Sequence, residues 1–496
     1  MNTVASPAPL QTTTFLNWIG NKDMPAASGK TFDHISPIDG SVVARFADSG
    51  EEDARRAVEL ARKTFDSGVW SNAPARSRFE VLRRVARIIE DNKQELAERM
   101  VLESGKPVST AMGEIMGAVK TFEYYAGATL DLEGSAISDR NPQAFGLILR
   151  EPVGVAAFIT PWNFPLLNPV CKIAPALAAG CVVVAKPSHL CSSPTVLLAR
   201  YLAQAGVPDG VVSVITSQKD RGAVVGQYLS SSPLVDKVAF TGSTATGRAV
   251  MRAAATNNKK VALELGGKSA NIVFEDADLD TAAATAIAAF CYNSGQQCSA
   301  GTRLLVQRSI YDDFMERVLA QAGKQIVGDP RDAATTMGPL VNREQYDRVR
   351  GHVNVGHDCG TLLTGGSRPD DSRLDDGLYL MPTIFGGVDN QSRLAQEEVF
   401  GPILAVIPFD DTDAAIRLAN DSAYGLAGGV WTRNLDRAFK VIKGVRTGKM
   451  FVNGYNNVGI DDMPHGGYKD SGVGREFGRE GLAEYQQVKT VQIKLA

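Results

Sequence analysis

Cys298 sits in the stretch Phe290 to Arg303, FCYNSGQQCSAGTR, between Gln297 and Ser299. Its neighbours are amides, a hydroxyl and glycines rather than branched apolar residues, so a thiolate there could be solvated and reached by a substrate. A nucleophile is one reading; a buried structural cysteine is the other, because cysteine is among the most buried residue types. Glu264, in Leu263-Glu264-Leu265-Gly266-Gly267, is a carboxylate in an otherwise apolar strand end. Burial would raise its pKa toward neutrality, which suits a general base, and an unpaired buried glutamate is costly to retain for structure alone. Asn163, in TPWNFP (Thr160 to Pro165), is held between prolines and aromatics. That is a rigid mount for an amide donating to an oxyanion, with a plain turn asparagine as the alternative.

Other stretches suit phosphate or ribose. Phe240 to Gly247, FTGSTATG, is a Gly/Ser/Thr turn that leaves a strand and enters a helix, so its amides and the Ser243 hydroxyl could hold a pyrophosphate. A simple N-cap would use the same residue types. Lys186-Pro187-Ser188 closes a strand and places an ammonium where a ribose or phosphate would lie, although a surface lysine reads the same way. No G-x-G-x-x-G follows a strand, and GGKS (Gly266 to Ser269) lacks the first glycine of a phosphate loop because Ala262 stands there. A kinase or ATPase reading is excluded on that ground. His352, His357, Asp358 and Cys359 have no spacing that fixes a metal site, and no metal is expected.

These residues need a large frame. The 496 residues are 44% hydrophobic and 22% charged, which predicts two or three domains with a sizeable core. A net charge of −3 without long runs of one sign argues against a nucleic-acid groove and favours small-molecule chemistry. Six cysteines without a C-x-x-C pair suit a reducing compartment. The residues before Lys22 read as a frayed tail rather than a secretory or transit segment, and no apolar run reaches the ~20 residues that span a bilayer. The expected location is the cytoplasm, with no membrane partner.

The elements follow from hydrophobic period. Glu51 to Phe65, Arg76 to Glu103 and Ser109 to Tyr125 are predicted as helices, making the first quarter largely helical. From Phe145 onward, Val- and Ile-rich runs (Phe145 to Leu149, Val153 to Ile159, Cys181 to Ala185, Val211 to Ile215, Val235 to Phe240, Lys260 to Leu265) alternate with helical segments. This predicts a parallel α/β sheet. A second alternating set starts at Asn271, with strands at Arg303 to Gln307 and Pro402 to Pro408, and a domain boundary is expected near Leu265 to Ser269.

Taken together, TPWNFP, Lys186-Pro187-Ser188, FTGSTATG, LELGGKS, the cysteine loop, EEVFGP (Glu397 to Pro402) and PHGGYKDSGVGRE (Pro464 to Glu476) resemble the aldehyde dehydrogenase superfamily. Their order and separation match from Trp18 to Thr490. The resemblance implies an α/β fold: a Rossmann-like NAD(P) domain without the usual glycine fingerprint, an α/β catalytic domain, and a small β extension that joins subunits into homodimers or homotetramers. Here these would be residues 1–132 with 153–264, residues 265–466, and residues 133–152 with 478–496.

Carried over by position, the resemblance makes Cys298 the nucleophile, Glu264 the general base, and Asn163 with the Cys298 amide the oxyanion hole. Lys172 and Glu476 support that site. NAD+ or NADP+ would lie against Thr160, Trp162, Lys186, Ser188, His189, Gly242, Ser243, Leu265, Glu398 and Phe400. The implied reaction takes an aldehyde through a thiohemiacetal and a thioester to the carboxylic acid. Relatives that pass the acyl group to coenzyme A lack the glutamate matching Glu264, so hydrolysis is expected; a non-catalytic relative is the alternative from another class. The implied substrate pocket is Phe164, Cys171, Tyr292, Gln297, Ser299, Asn456 and His465, with Asn453 in the wall. Many relatives carry phenylalanine where His465 stands and a bulky residue where Cys171 would widen the tunnel. With the acidic loop Asn456 to Asp462, this fits a medium to large, polar or cationic aldehyde. NAD-preferring relatives often carry an acid at the position of His189. Its absence predicts NADP+ use beside NAD+, with Lys186, Ser188 and a protonated His189 receiving the 2′-phosphate.

Overall fold

Apolar residues at helical spacing bury Ala54, Ala57, Val58 and Ala61 on one stripe of the helix Glu51–Asp66. The structure, a computed structural model, describes residues 12–456 and 462–495. Residues 1–11 of the expected frayed tail and 457–461 of the acidic loop lie outside the described residues.

The helix expected from Arg76 to Glu103 is two, Ala75–Asp91 and Lys93–Ser104. They part at Asn92, whose φ of −104° and ψ of 18° are not helical and whose side-chain amide donates to the Ile88 carbonyl at 2.7 Å. An asparagine that satisfies the preceding turn itself removes the advantage of continuing the helix. The third helix is Val108–Thr129. The first quarter is also less helical than expected. Thr13–Phe15, Thr31–Ile35 and Val42–Ala47 form a three-stranded sheet, while Asn17–Trp18 and Asp23–Met24 extend a larger one. The two- and three-residue strands carry too little periodicity to be read, and Thr31–Ile35 and Val42–Ala47 are interrupted by charged residues (Asp33, Arg45).

The larger sheet has eight strands, in the order Gly472–Val473, Lys260–Glu264, Lys237–Thr241, Val155–Ile159, Val182–Lys186, Val212–Val214, Asn17–Trp18 and Asp23–Met24. The five central strands run parallel. The chain starts in the middle at Val155–Ile159, builds outward on one side, then crosses to the other with Lys237–Thr241. Such a reversal opens a crevice at the carboxyl ends of the strands, where doubly wound sheets bind ligands. TPWNFP, Lys186, FTGSTATG and Glu264 all stand at those ends.

A second sheet orders Thr361–Thr364, Thr383–Gly386, Ile403–Phe409, Arg303–Gln307, Ala270–Val273, Ala427–Trp431 and Lys449–Val452, all parallel but the first. Gly266 to Ser269 bridges the two sheets. A Cβ on Gly267 would stand 2.3 Å from the Cys298 carbonyl oxygen, so glycine there lets the end of one sheet lie against the cysteine loop of the other. Ser135–Ile137, Ala144–Pro152 and Gln486–Lys494 make a separate three-stranded antiparallel sheet.

Candidate active site

Cys298 follows the helix Leu279–Cys291 and a turn in which Asn293 and Ser294 have left-handed φ of 52° and 56°. Non-glycine residues adopt that conformation only where surrounding contacts enforce it. Here the Asn293 amide donates to the Asn163 carbonyl at 3.0 Å and to the Gln296 carbonyl at 3.2 Å. The Asn163 side chain donates to the same Gln296 carbonyl at 3.0 Å. The asparagine of TPWNFP and the cysteine loop, more than a hundred residues apart, are thereby tied into one unit.

Cys298 is partly exposed, as the sequence suggested, but its thiol is not ionised at rest. Burial, followed by the carboxylates of Glu264 and Glu398, pushes it up to about 12. The expectation of a readily solvated thiolate is corrected first by this burial and then by the acidic neighbours, which oppose a further negative charge. Glu264 itself is buried, and neither carboxylate oxygen has a hydrogen-bond partner among the described residues. Burial first, and the nearby Glu476 carboxylate second, hold it well above the usual carboxylate range. It thus holds a proton more tightly than an ordinary carboxylate and is no fixed charge.

Beside it lies an ion pair. Lys172, on the helix Leu167–Ala179, contacts Glu476 and donates to Thr241 Oγ1 at 2.7 Å. Burial opposes both charges, but their proximity keeps Glu476 below and Lys172 above their ordinary values, so the pair is ionised. Cys171 was expected to widen a substrate tunnel; instead it is 2% exposed, with Sγ 3.0 Å from Glu476 Oε2. Burial and Glu476 keep this thiol well above its usual range, so it serves as a donor to the ion pair. His465 belongs to the same neighbourhood: its backbone exchanges hydrogen bonds with Glu476 at 2.8 and 2.7 Å, and its Nε2 is 3.6 Å from Glu264 Oε2.

The aromatic residues named from the sequence meet as a wall. Phe164 and Tyr292 stack at 6.3 Å with 19° between planes, and Tyr292 is half exposed. Across the cysteine loop, Asn456 approaches Gln297 Oε1 and the Ser299 hydroxyl, each at 3.4 Å. Asn453 has a φ of 51°, and its amide clips the Thr432 backbone in both directions at 3.0 Å, so its side chain is engaged with the strand end beside it.

The second group lines the crevice of the eight-stranded sheet. Lys186 is buried and, among the described residues, donates only to the neighbouring Pro187 carbonyl at 3.2 Å; burial lowers it to about 8. The Thr160 and Ser217 hydroxyls are buried without partners among the described residues. A Cβ on Gly222 would lie 3.2 Å from Lys186 Nζ and from the Ser217 hydroxyl, so this glycine leaves the ammonium room. Ser188 accepts from the Leu190 amide at 3.3 Å. Ser243 caps the helix Thr244–Ala254 through Thr246 and remains exposed, so the N-cap alternative is real and does not remove the residue from the surface. Gly242 packs on Phe240, and Leu265 packs on Gly247 of that helix. Glu398 accepts from the Gly267 amide at 3.0 Å, yet burial raises it to about 7. Phe400, at a φ of 56°, meets Trp162 edge-on at 5.4 Å. His189 departs from expectation. Burial and the adjacent Lys186 lower it to about 4, so it is neutral near pH 7 and no cation.

Lys106 and Glu114 were not singled out in the sequence. Both side chains are fully buried and paired; Lys106 also donates to the Asn163 carbonyl at 2.9 Å, and Glu114 accepts from the Leu166 and Leu167 amides at 2.9 and 3.0 Å. A glutamate in the small, apolar run Ala111 to Val119 was the signal available.

The sequence profile of the aldehyde dehydrogenase family, described by that name, matches residues 24–491. An aldehyde dehydrogenase of Davidiella tassiana is 43% identical over 96% of this chain and 95% of its own length. The crystal structure of an NAD-dependent aldehyde dehydrogenase from Sinorhizobium meliloti superposes with a TM-score of 0.94 at 40% identity, covering 97% of this chain and 95% of that one. A betaine aldehyde dehydrogenase from Staphylococcus aureus in complex with NAD+ gives 0.94 at 38% identity, with 97% and 95% covered.

Proposed function

The chain belongs to the aldehyde dehydrogenase family, which oxidises aldehydes to carboxylic acids, and on that premise we propose that Cys298, Glu264 and Asn163 divide the reaction in a hydrolytic enzyme. The observation that carries this is the buried, unpartnered carboxylate of Glu264 beside the loop that bears Cys298.

The residues of the crevice suit a nicotinamide dinucleotide: orphaned hydroxyls at Thr160 and Ser217, an under-bonded Lys186 in room left by Gly222, and the exposed Ser243 turn. When bound, such a group supplies the hydride acceptor. Lys186 and Glu398 are placed to take ribose hydroxyls, and Trp162 with Phe400 to close the apolar side. Within the chain, Cys298 would pass its proton to the Glu264 carboxylate, which returns it to solvent, and attack the aldehyde carbon; Asn163 Nδ2 and the Cys298 amide would donate to the oxyanion; Glu264 would then take a proton from the water that cleaves the thioester. The ionised Lys172 and Glu476 keep the floor of the site charged and immobile. Carboxylic acid formed equally with and without coenzyme A is the expected product; acyl-coenzyme A as the main product would overturn the hydrolytic reading.

NAD+ is the cofactor of the similar structures, and we extend use to NADP+ because position 189 lacks a carboxylate. His189, being neutral, offers a hydrogen bond rather than a charge, so the tolerance rests on Lys186, Ser188 and the missing repulsion. His189→Glu is expected to lower kcat/KM for NADP+ relative to NAD+ by about 1–3 kcal/mol. An unchanged ratio, or a parent that uses NAD+ alone, sinks the idea.

Exposed Val488 and Ile493 on the outer strand, and the strand's unpaired far edge, favour a homodimer or homotetramer. A monomer by light scattering at micromolar concentration would refute this. Division into residues 1–132 with 153–264, 265–466, and 133–152 with 478–496 accords with the three principal sheets, except that Gly472–Val473 joins the first. A polar or cationic aldehyde draws support from Gln297, Ser299 and Asn456 and from the likeness to a betaine aldehyde dehydrogenase. Among the described residues no helix is long and apolar enough to cross a membrane, and with six free cysteines a cytoplasmic setting fits.

A further inference from the structure

The geometry points to His465 as the residue that positions Glu264 as a base, rather than as a wall of the substrate pocket. This inference rests on the reading of Glu264 as the general base. Glu264 ends the strand Lys260–Glu264 and has both carboxylate oxygens buried without a hydrogen-bond partner among the described residues. His465 Nε2 stands 3.6 Å from Oε2. A few tenths of an ångström separate this from a hydrogen bond, and contacts of this kind shorten when a site is filled.

Both side chains are held by one segment. His465 is bridged to Glu476 through two backbone hydrogen bonds, and Gly472 pairs directly with Glu264 across the sheet edge. Between these points the chain turns tightly: a Cβ on Gly467 would lie 2.3 Å from the Ser471 side chain, and one on Gly472 would lie 2.1 Å from the Leu263 carbonyl oxygen. The backbone that carries the imidazole therefore cannot shift from Glu264 without moving Glu476, whose side chain is itself pinned by Lys172.

The ring is neutral at working pH. Burial lowers it to about 4, and Lys449, Lys172 and Arg475 outweigh the opposing Glu476. Glu264 faces Glu476, Lys172 and Arg475 as well, and Cys298 across the cavity. A neutral imidazole with its proton on Nε2 donates to the ionised carboxylate, favours the charged form and orients it. A phenylalanine cannot do this. Proton balance is simple: water gives its proton to Glu264, its oxygen bonds to the thioester carbon, the C–S bond breaks, and the Cys298 thiolate leaves. His465 changes neither charge nor oxidation state.

The test uses the full-length enzyme with NAD+ and the fastest-oxidised of hexanal, benzaldehyde and betaine aldehyde. In His465→Phe the first-turnover burst of reduced cofactor is expected to persist while steady-state kcat falls about 5- to 50-fold at neutral pH, with KM within about twofold. Loss of a donor to the anion raises the Glu264 pKa, so the acid limb of kcat moves to higher pH, by roughly one unit. His465→Gln keeps a donor and restores most of both. If the phenylalanine variant does not fold, His465→Leu against His465→Gln reads the same contrast. An altered KM with unchanged kcat and pH profile would return His465 to the substrate wall and overturn the inference, as would no change at all. Glu264→Gln run alongside separates the two readings: normal turnover there removes the base itself, whereas a stalled Glu264→Gln with an unaffected His465→Phe removes only the role given to His465.

Discussion

Cys298→Ala is expected to abolish formation of reduced cofactor, by on the order of 10⁴-fold or more, whereas Glu264→Gln is expected to release one burst per active site and then stall. The two variants differ because the thiol and the carboxylate act on different bonds. Without Cys298 Sγ no thiohemiacetal forms and no hydride can depart. Without the Glu264 carboxylate the thioester still forms, but the water that should cleave it keeps its proton. Steady-state turnover then falls by about 10²- to 10⁴-fold, the usual contribution of a positioned base. Glutamine fills the same buried space, and Glu264 makes no hydrogen bond among the described residues that the amide would break, so folding is retained. Stopped-flow absorbance of reduced cofactor, followed by mass spectrometry of the quenched protein, distinguishes the stalled acyl-enzyme from an inactive one. Full steady-state turnover in the glutamine variant would sink the base assignment.

Lys106→Met is expected to be the most destabilising single change near the site. It leaves Glu114 buried without its cation and removes the donor that holds the Asn163 carbonyl. Breaking one side of a fully buried pair costs about 3–5 kcal/mol, because the remaining charge has no water to return to. For a cooperative unit of this length that corresponds to roughly 3–5 °C in Tm. Activity falls further than stability alone requires, since Asn163 is released from one of its two backbone anchors, the other being Asn293. Removing Arg55 and Glu59, an exposed pair four residues apart on a helix, provides the contrast and should leave Tm unchanged. Equal melting of the two variants by calorimetry would show that the buried pair does not hold the site.

The residues proposed to carry acyl chemistry are legible because each violates its local surroundings. A glutamate ending an apolar strand, an asparagine among prolines and a cysteine among amides and glycines are anomalies that short-range pattern exposes. The strands of both parallel sheets were legible for the opposite reason, since Val- and Ile-rich runs bounded by turns conform to a single period. Asn92 was misread because its side chain competes with the helix through one hydrogen bond, an event that hydrophobic period does not register. The shortest N-terminal strands are not legible because two- and three-residue strands owe their existence to partners already formed, such as the pairing of Trp18 with Val214, and the longer Thr31–Ile35 and Val42–Ala47 mix polar and charged residues into the run.

The amino-acid sequence by itself determined the α/β alternation, the positions of Cys298, Glu264 and Asn163 at ends of elements, and the resemblance that orders them. Tertiary structure alone decided their charge states and their partners. The Cys298 thiol stays protonated because burial strips it of water and, second to that, Glu264 and Glu398 converge on it from distant segments, and His189 stays neutral because burial outweighs its own basicity. Cys171 turned out to face Glu476, 305 residues away, and His465 to face Glu264. Propensity and period act over a few residues, whereas desolvation and Coulomb interaction depend on which groups share a volume from which water is excluded, and only the folded chain defines that volume.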